Sequence, residues 1–373
     1  MRKAQYIWWL LFVGAFLFGH LGRLLWPATI LGRINLLDIV VAAAVLVFWR
    51  KIKLPKFLVG FIVISLLSFF VGFSLFGFSS QPESLMFLLR LVIYSLFIGV
   101  APQLFQKKSQ QILMTLGVLV SLIGLIQLQI FSAIPVSMIA SHGFDPHAGR
   151  LFATFFDPNF AAVVLVITTL ATLNIIFSKY SHQTLLALLI QIYALLLTNS
   201  RSGLLALLVA LFIFFLMRDK KYVLLLLALS MAAFILSPSL ALRIRSAVSL
   251  DATSKARFAS WETASLIIEE SPVIGVGYNN YQWASSSVGR FYNRVGKIAL
   301  SANASDSSIL TLWATVGFFG VVLFSLFWLA ETKRKRPVVN SAMAAIIINS
   351  WFLNSWLWPF TLFLLALILI DQE

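Results

Sequence analysis

Long apolar runs follow one another from end to end of the chain, separated by short polar breaks. They lie near residues 5–25, 35–49, 57–77, 85–102, 112–131, 159–177, 184–198, 203–217, 222–237, 306–329, 338–353 and 356–371. A helix that crosses the hydrocarbon core needs roughly 20 mostly apolar residues. Barrel strands would instead show short alternating segments. The pattern predicts an all-α, polytopic integral membrane bundle of about 12 transmembrane helices. The shorter runs are expected to extend into polar flanks or to tilt. Only Asn349, Asn354 and Pro359 interrupt the last two. One polar stretch, 238–305, is predicted to be a long extracytoplasmic loop carrying helical structure. In it Arg257, Trp261, Ala264 and Ile268 share a helical face. Residues 1–373 read as one membrane domain, without internal repeats or low-complexity tracts.

Composition agrees. The chain is 60% hydrophobic and 11% charged, with mean hydropathy +0.95. About half apolar is already typical of a soluble domain. The net charge of +15 would suggest nucleic acid in a soluble protein. In a membrane chain, lysine and arginine anchor cytoplasmic loops instead, so a lipid bilayer is the expected partner and nucleic acid is not. With the N-terminus inside, "MRK", "RKIKLPK", "QKK", "SKYSHQ", "RDKK" and "KRKR" hold sixteen of the 28 basic residues. The outer connections hold eleven, seven of them in the long loop, which crosses regardless of charge. Both termini are therefore expected in the cytoplasm. The first run has no small-residue cleavage site after it and is expected to be a retained helix. The chain has no cysteine, which excludes disulfides, thiolate metal sites and a cysteine nucleophile.

Candidate chemistry gathers on the outer side. In "TNSRSGLLALLVAL", Arg201 opens an apolar run, with Asn199 or Ser200 available as its cap. A cation at a helix start is mildly unfavourable unless an anion binds there, since helix-start amides and a guanidinium both suit phosphate oxygens. The bland alternative is an interfacial arginine facing headgroups. Arg150, Arg243, Arg245 and Arg257 share that side, as do Arg290, Arg294 and Lys297. This points either to a polyanion site or to a loop touching anionic lipid. Asp306 lies where the chain re-enters the membrane, and Asp306, Leu310, Trp313, Gly317 and Gly320 follow helical spacing. It is either a helix cap or a carboxylate that takes a proton from a hydroxyl. His142, Asp145 and His147 lack a specific metal-ligand spacing and read as a surface loop. No metal and no cofactor is expected. Asp38 and Arg90 fall inside apolar runs. Such residues are functional candidates, here for a transporter, unless they pair locally.

The order of these pieces resembles the O-antigen ligase and polymerase superfamily, of the WaaL/Wzy type. The resemblance rests on "GRLFATFFDPNFAA", "TNSRSGLLALLVAL", "RFASWETASLIIEESPVIGVGYNNY" and "WATVGFFG", over roughly residues 140–330. It implies a GT-C-like helical bundle in a bacterial inner membrane, with its active site on the extracytoplasmic face. The implied activity is metal-independent, inverting transfer of a glycan from an undecaprenyl-diphosphate carrier to a saccharide or glycolipid acceptor. Arg150 matches the arginine before the family's T-F-x-N-P-N pattern, here Thr154 to Asn159. Arg201 matches the arginine of the SR-small-G turn. Arg257 and Trp261 match the R-x-x-x-W ahead of Pro272, Gly275 and Gly277. Arg150, Arg201, Arg257, Arg243 and Arg245 are thus expected to grip the donor diphosphate, with Arg201 also catalytic. Asp306 stands where ligases carry a histidine base, with Ser307 where they carry asparagine. That departure favours a polymerase over a lipid A core ligase, with Asp306 as the expected catalytic base.

Overall fold

The computed structural model describes residues 3–22, 33–78, 81–134, 147–224, 226–227, 252–287, 304–333 and 336–370. Eleven of the twelve apolar runs are helices. The first eight are α1 (Lys3–Phe18), α2 (Leu36–Phe48), α3 (Lys56–Phe76), α4 (Gln81–Phe105), α5 (Ser109–Ile130), α6 (Pro158–Ser178), α7 (His182–Leu197) and α8 (Arg201–Arg218). The loop contributes the amphipathic α9 (Ala252–Glu270) and the short α10 (Tyr281–Ser287). Then come α11 (Ser308–Thr332), α12 (Pro337–Asn349) and α13 (Pro359–Ile368). The run at 222–237 lies mostly outside the described residues. Six helices (α3, α4, α5, α6, α8 and α11) are long and apolar enough to cross a membrane; the other apolar helices are shorter. Among the described residues there is no strand.

The centre of the bundle is α6 and α13. Asp157 caps α6 by accepting the amides of Asn159 and Phe160, and Pro158 fills a first-turn position where no amide is needed. All ten residues of α13 are buried, against α4, α5 and α6. Lipid tails are as apolar as leucine, so close packing and interhelical hydrogen bonds hold such helices together. Both devices are present. Gly203 lets α8 press on α6, since a Cβ there would come 2.6 Å from the Ala162 methyl. Buried Gln191 of α7 donates to Thr172 of α6 at 2.9 Å. The outer surface carries large apolar side chains such as Leu46, Phe70 and Ile126.

Asp38 and Arg90 pair with one another. Arg90 Nη2 lies 2.6 Å from Asp38 Oδ2. The Tyr94 hydroxyl donates to Asp38 Oδ1 at 3.0 Å, and the Asn35 amide donates to Oδ2 at 2.9 Å. Arg90 also donates to the Arg33 carbonyl at 2.6 Å. A buried ion pair is tolerated when further hydrogen bonds satisfy its atoms, as here. The feature that favoured a transporter is a local pair.

Two expectations need correction. The runs at 338–353 and 356–371 do not form two full-length spans, because α12 and α13 have 13 and 10 residues. Between them, 350–358 is largely irregular backbone. Such backbone persists at depth only when enclosed by protein. Ser308 encloses it: its amide donates to the Ser350 carbonyl, its hydroxyl donates to the Leu353 carbonyl, and that oxygen accepts the amides of Ser355 and Trp356.

Nor does helical spacing run unbroken from Asp306 to Gly320. Gly317 has φ +75° and interrupts α11. The loop at 272–277 docks on the break. Val276 and Gly277 amides donate to the Ala314 and Thr315 carbonyls, and the Phe318 amide donates to the Pro272 carbonyl. A Cβ on Gly317 would lie 2.3 Å from the Val273 carbonyl oxygen. The sequence features "SPVIGVG" and "WATVGFFG" are two halves of one junction. Gly317→Ala is expected to lose about 1–3 kcal/mol from the left-handed backbone alone. Thermal unfolding in detergent measures this; a variant that melts with the wild type would overturn this account of the junction.

Candidate active site

The turn before α8 is built by its own polar residues. Thr198 ends α7, and Asn199 takes φ +52°, which asparagine tolerates. Ser200 caps α8 by accepting the Gly203 amide at 3.2 Å. Its hydroxyl donates to Asn159 Oδ1 at 2.9 Å, which ties the turn to the start of α6. This sets Arg201 on the first residue of α8, where the helix presents its positive end.

Arg201 and Arg257 line one cavity of about 240 Å³. Ser202, Leu205, Phe258, Trp261 and Phe352 complete most of its wall. The two arginines come from helices far apart in sequence. Arg257 stands over the Phe352 ring at 5.7 Å, within cation–π range. Trp261 meets Phe258, Trp351 and Phe352 edge-on or tilted. Its indole N–H is buried with no hydrogen-bond partner among the described residues. Aromatic and aliphatic walls with two guanidinium groups suit an anion joined to a lipid.

Arg150 is placed differently. Its Nε donates to the Thr198 carbonyl at 2.9 Å and its Nη2 to Asn159 Oδ1 at 3.3 Å. It braces the turn that carries Arg201 and is not among the residues lining that cavity. Arg243 and Arg245 lie outside the described residues, as do Arg290, Arg294, Lys297, His142 and Asp145.

Asp306 does not cap α11, since Ser307 does, accepting the Leu310 amide at 3.3 Å. Asp306 lies just before that cap, and its amide donates to Ser260 Oγ at 2.9 Å. Ser260 is three residues beyond Arg257 and one before Trp261, so α9 links the carboxylate segment to the arginine cavity. Tyr281 is the other neighbour: burial first, then the Asp306 charge, holds its phenol above its ordinary range. Glu262, Glu269 and Glu270 are exposed on α9.

Residues 186–325 match the Wzy_C family model, described as O-antigen ligase. The match supports the O-antigen ligase and polymerase superfamily, and with it an enzyme of membrane glycosyltransferase type in surface polysaccharide biosynthesis. No curated protein matches the chain at a significant level. The Wzy_C region covers α8 to α10, most of α7 and most of α11, and so takes in Arg201, Arg257, Trp261 and Asp306. Three contributors lie outside it: Arg150, Asn159 and the wall residue Phe352, with Trp351 beside it against Trp261.

Sequence reasoning missed Ser260, Tyr281, Trp351 and Phe352. A signal for the last two was present. The stretch "NSWFLNSWLWP" is too polar and too rich in tryptophan for the middle of a lipid-facing run, and it marks the irregular segment between α12 and α13.

Proposed function

We propose that the protein transfers a glycan from an undecaprenyl-diphosphate-linked donor to a saccharide acceptor, as a polymerase of surface polysaccharide on the extracytoplasmic face of a bacterial inner membrane. The observation that carries this reading is the pair Arg201 and Arg257 on one aromatic-walled cavity. Two guanidinium groups and the start of α8 supply charge for a diphosphate. The apolar wall suits the first isoprene units behind it. Arg150 acts as a positioning residue for the Arg201 turn.

The reaction is a direct, inverting displacement. The acceptor oxygen forms a bond to the anomeric carbon of the donor sugar. The bond from that carbon to the diphosphate oxygen breaks, and its electron pair leaves with the diphosphate. The hydroxyl proton passes to Asp306. Preorganised cations stabilise the charge that develops on the leaving group, so the transfer is metal-independent. An inverting step needs one base, not the two carboxylates that glycoside hydrolysis uses.

Asp306 in place of a histidine base supports a polymerase over transfer to a lipid A core. Purified protein incubated with a synthetic undecaprenyl-diphosphate oligosaccharide decides between them. A ladder of longer lipid-linked chains is expected. Transfer only when a lipid A core is added would assign a ligase. No release of undecaprenyl diphosphate with either acceptor would overturn the proposal.

A further inference from the structure

A second cavity, of about 160 Å³, opens beside the Asp306 segment. Ala304 and Ser308, the residues two before and two after Asp306, both line it, as does Tyr281. Its far wall reaches Arg90 on α4, Thr311 and Thr315 on α11, and Trp356 and Trp358 of the irregular 350–358 segment. The segment that carries Asp306 thus touches this cavity through Ala304 and Ser308, and it is tied to the arginine cavity through Ser260, the neighbour of Trp261. The latter is lined by the guanidinium groups of Arg201 on α8 and Arg257 on α9. In the other, the guanidinium of Arg90 is already matched by Asp38 at 2.6 Å, so the cavity offers no net charge to a phosphate.

What it offers instead is neutral hydrogen-bonding capacity beside aromatic rings. Tyr278, Asn279 and Asn354 line the space. The Tyr278 side chain is only 5% exposed. Neither its hydroxyl nor the amides of Asn279 and Asn354 make a hydrogen bond among the described residues. Trp356, also on the wall, has a buried indole N–H with no partner among them. Buried polar groups are normally satisfied. Here the Trp356 indole N–H is fully buried without a partner among the described residues and Tyr278 is a buried residue, while Asn279 and Asn354 are half-buried; together they present hydrogen-bonding groups that a ligand or water can complete. Amides and a phenol, each able to donate, set among tryptophan rings, match a sugar ring: hydroxyls on its rim and an apolar C–H face. The volume has room for one ring and not for a lipid-linked chain.

We infer that this second cavity is the subsite for the acceptor saccharide, with Tyr278 and Asn354 as its hydrogen-bonding groups and the attacking hydroxyl turned toward Asp306. The inference rests on the proposed glycan transfer and deepens it. The donor sugar is tethered to the diphosphate and stays on the arginine side. An inverting attack brings the acceptor oxygen in opposite the diphosphate, and this cavity is the one lined by the residues that flank Asp306.

Tyr278→Phe and Asn354→Ala remove one hydrogen-bonding group each without disturbing the backbone. Asn279 is unsuited to this, because its φ of +58° would strain alanine. Thr311→Leu, which fills the space, is the third variant. In turnover with the synthetic lipid-linked oligosaccharide, kinetics at varied acceptor are expected to show KM for acceptor raised about tenfold for each hydrogen-bond deletion, one lost bond to a neutral partner being worth roughly that factor. KM for donor is expected to stay within twofold, and thermal stability to match the wild type. Saturation-transfer NMR on the detergent-solubilised protein, with methyl glycosides of glucose, galactose, N-acetylglucosamine and rhamnose as probes, gives a readout independent of turnover. At least one probe is expected to receive saturation from the wild type and to lose it with Thr311→Leu.

Unchanged acceptor KM in all three variants would overturn the inference, and so would a rise confined to donor KM, which would make this the donor-sugar site. Saturation transfer absent from the wild type, or surviving Thr311→Leu, would do the same. Failure of the underlying reading looks different: Arg201→Ala would retain full turnover, or the wild type would release no undecaprenyl diphosphate.

Discussion

Arg201→Ala is expected to lower turnover of an undecaprenyl-diphosphate-linked donor by roughly 10²–10³-fold, the usual loss when one preorganised group that stabilises developing charge is removed. The reason is positional. Ser200 caps α8 and bonds to Asn159, and Arg150 braces the Thr198 carbonyl, so the guanidinium starts from a turn that is held at three points. Arg201→Lys keeps the charge and loses the planar fork, so its activity should fall between alanine and wild type. Lys255→Ala serves as the control. Lys255 is exposed on α9, two residues before Arg257, and its loss should leave turnover unchanged. The measurement is release of undecaprenyl diphosphate from purified protein of unaltered melting temperature. Equal turnover of Arg201→Ala and wild type would remove the arginine cavity from the mechanism.

The second large effect is expected at Asp306. Asp306→Asn preserves size and hydrogen bonding but removes basicity, and should lower kcat by roughly 10²–10⁴-fold, the range of general-base contributions. Donor binding should be nearly intact. Stability should hardly move, because Ser307 provides the cap of α11. Ser307→Ala is the complementary variant: loss of the cap should cost about 1 kcal/mol of stability with much smaller change in kcat. Opposite results for the two residues, a stable but inactive Asp306→Asn and a less stable but active Ser307→Ala, separate chemistry from scaffolding. An active Asp306→Asn would leave the arginines as the only catalytic groups this mechanism contains.

Much of the architecture is legible one residue after another. A run of about 20 apolar residues has few stable fates besides a membrane helix, so the helices follow from hydropathy alone. The capping of α8 at Ser200 and the helical face shared by Arg257 and Trp261 are also local, because caps and helical periodicity depend on near neighbours. So was the order of motifs along residues 140–330 that pointed to O-antigen ligases and polymerases. Local reading stops where a residue has two local uses and a distant partner bears on the choice. Asp306 has the composition of a cap, but Ser307 takes that place and Ser260, 46 residues away, takes the Asp306 amide. Arg150 reads locally as a phosphate ligand, and only the tertiary structure shows that its guanidinium also meets the Thr198 carbonyl and Asn159.

What the sequence by itself determined, then, is a basic, polytopic helical membrane protein with arginines gathered near the starts and ends of its helices. Hydrophobic burial and helix capping are short-range, and they leave their period in the chain. The tertiary structure alone decided which of those polar residues meet. It paired Asp38 with Arg90, which withdrew both from candidacy. It brought Arg201 and Arg257 to a single cavity walled by Phe352. It broke α11 at Gly317 so that the loop at 272–277 could dock, and it left Tyr278, Asn279 and Asn354 facing a second cavity without partners. Each of these depends on a contact between segments remote in sequence, where geometry and the need to satisfy buried polar groups, not periodicity, select the outcome.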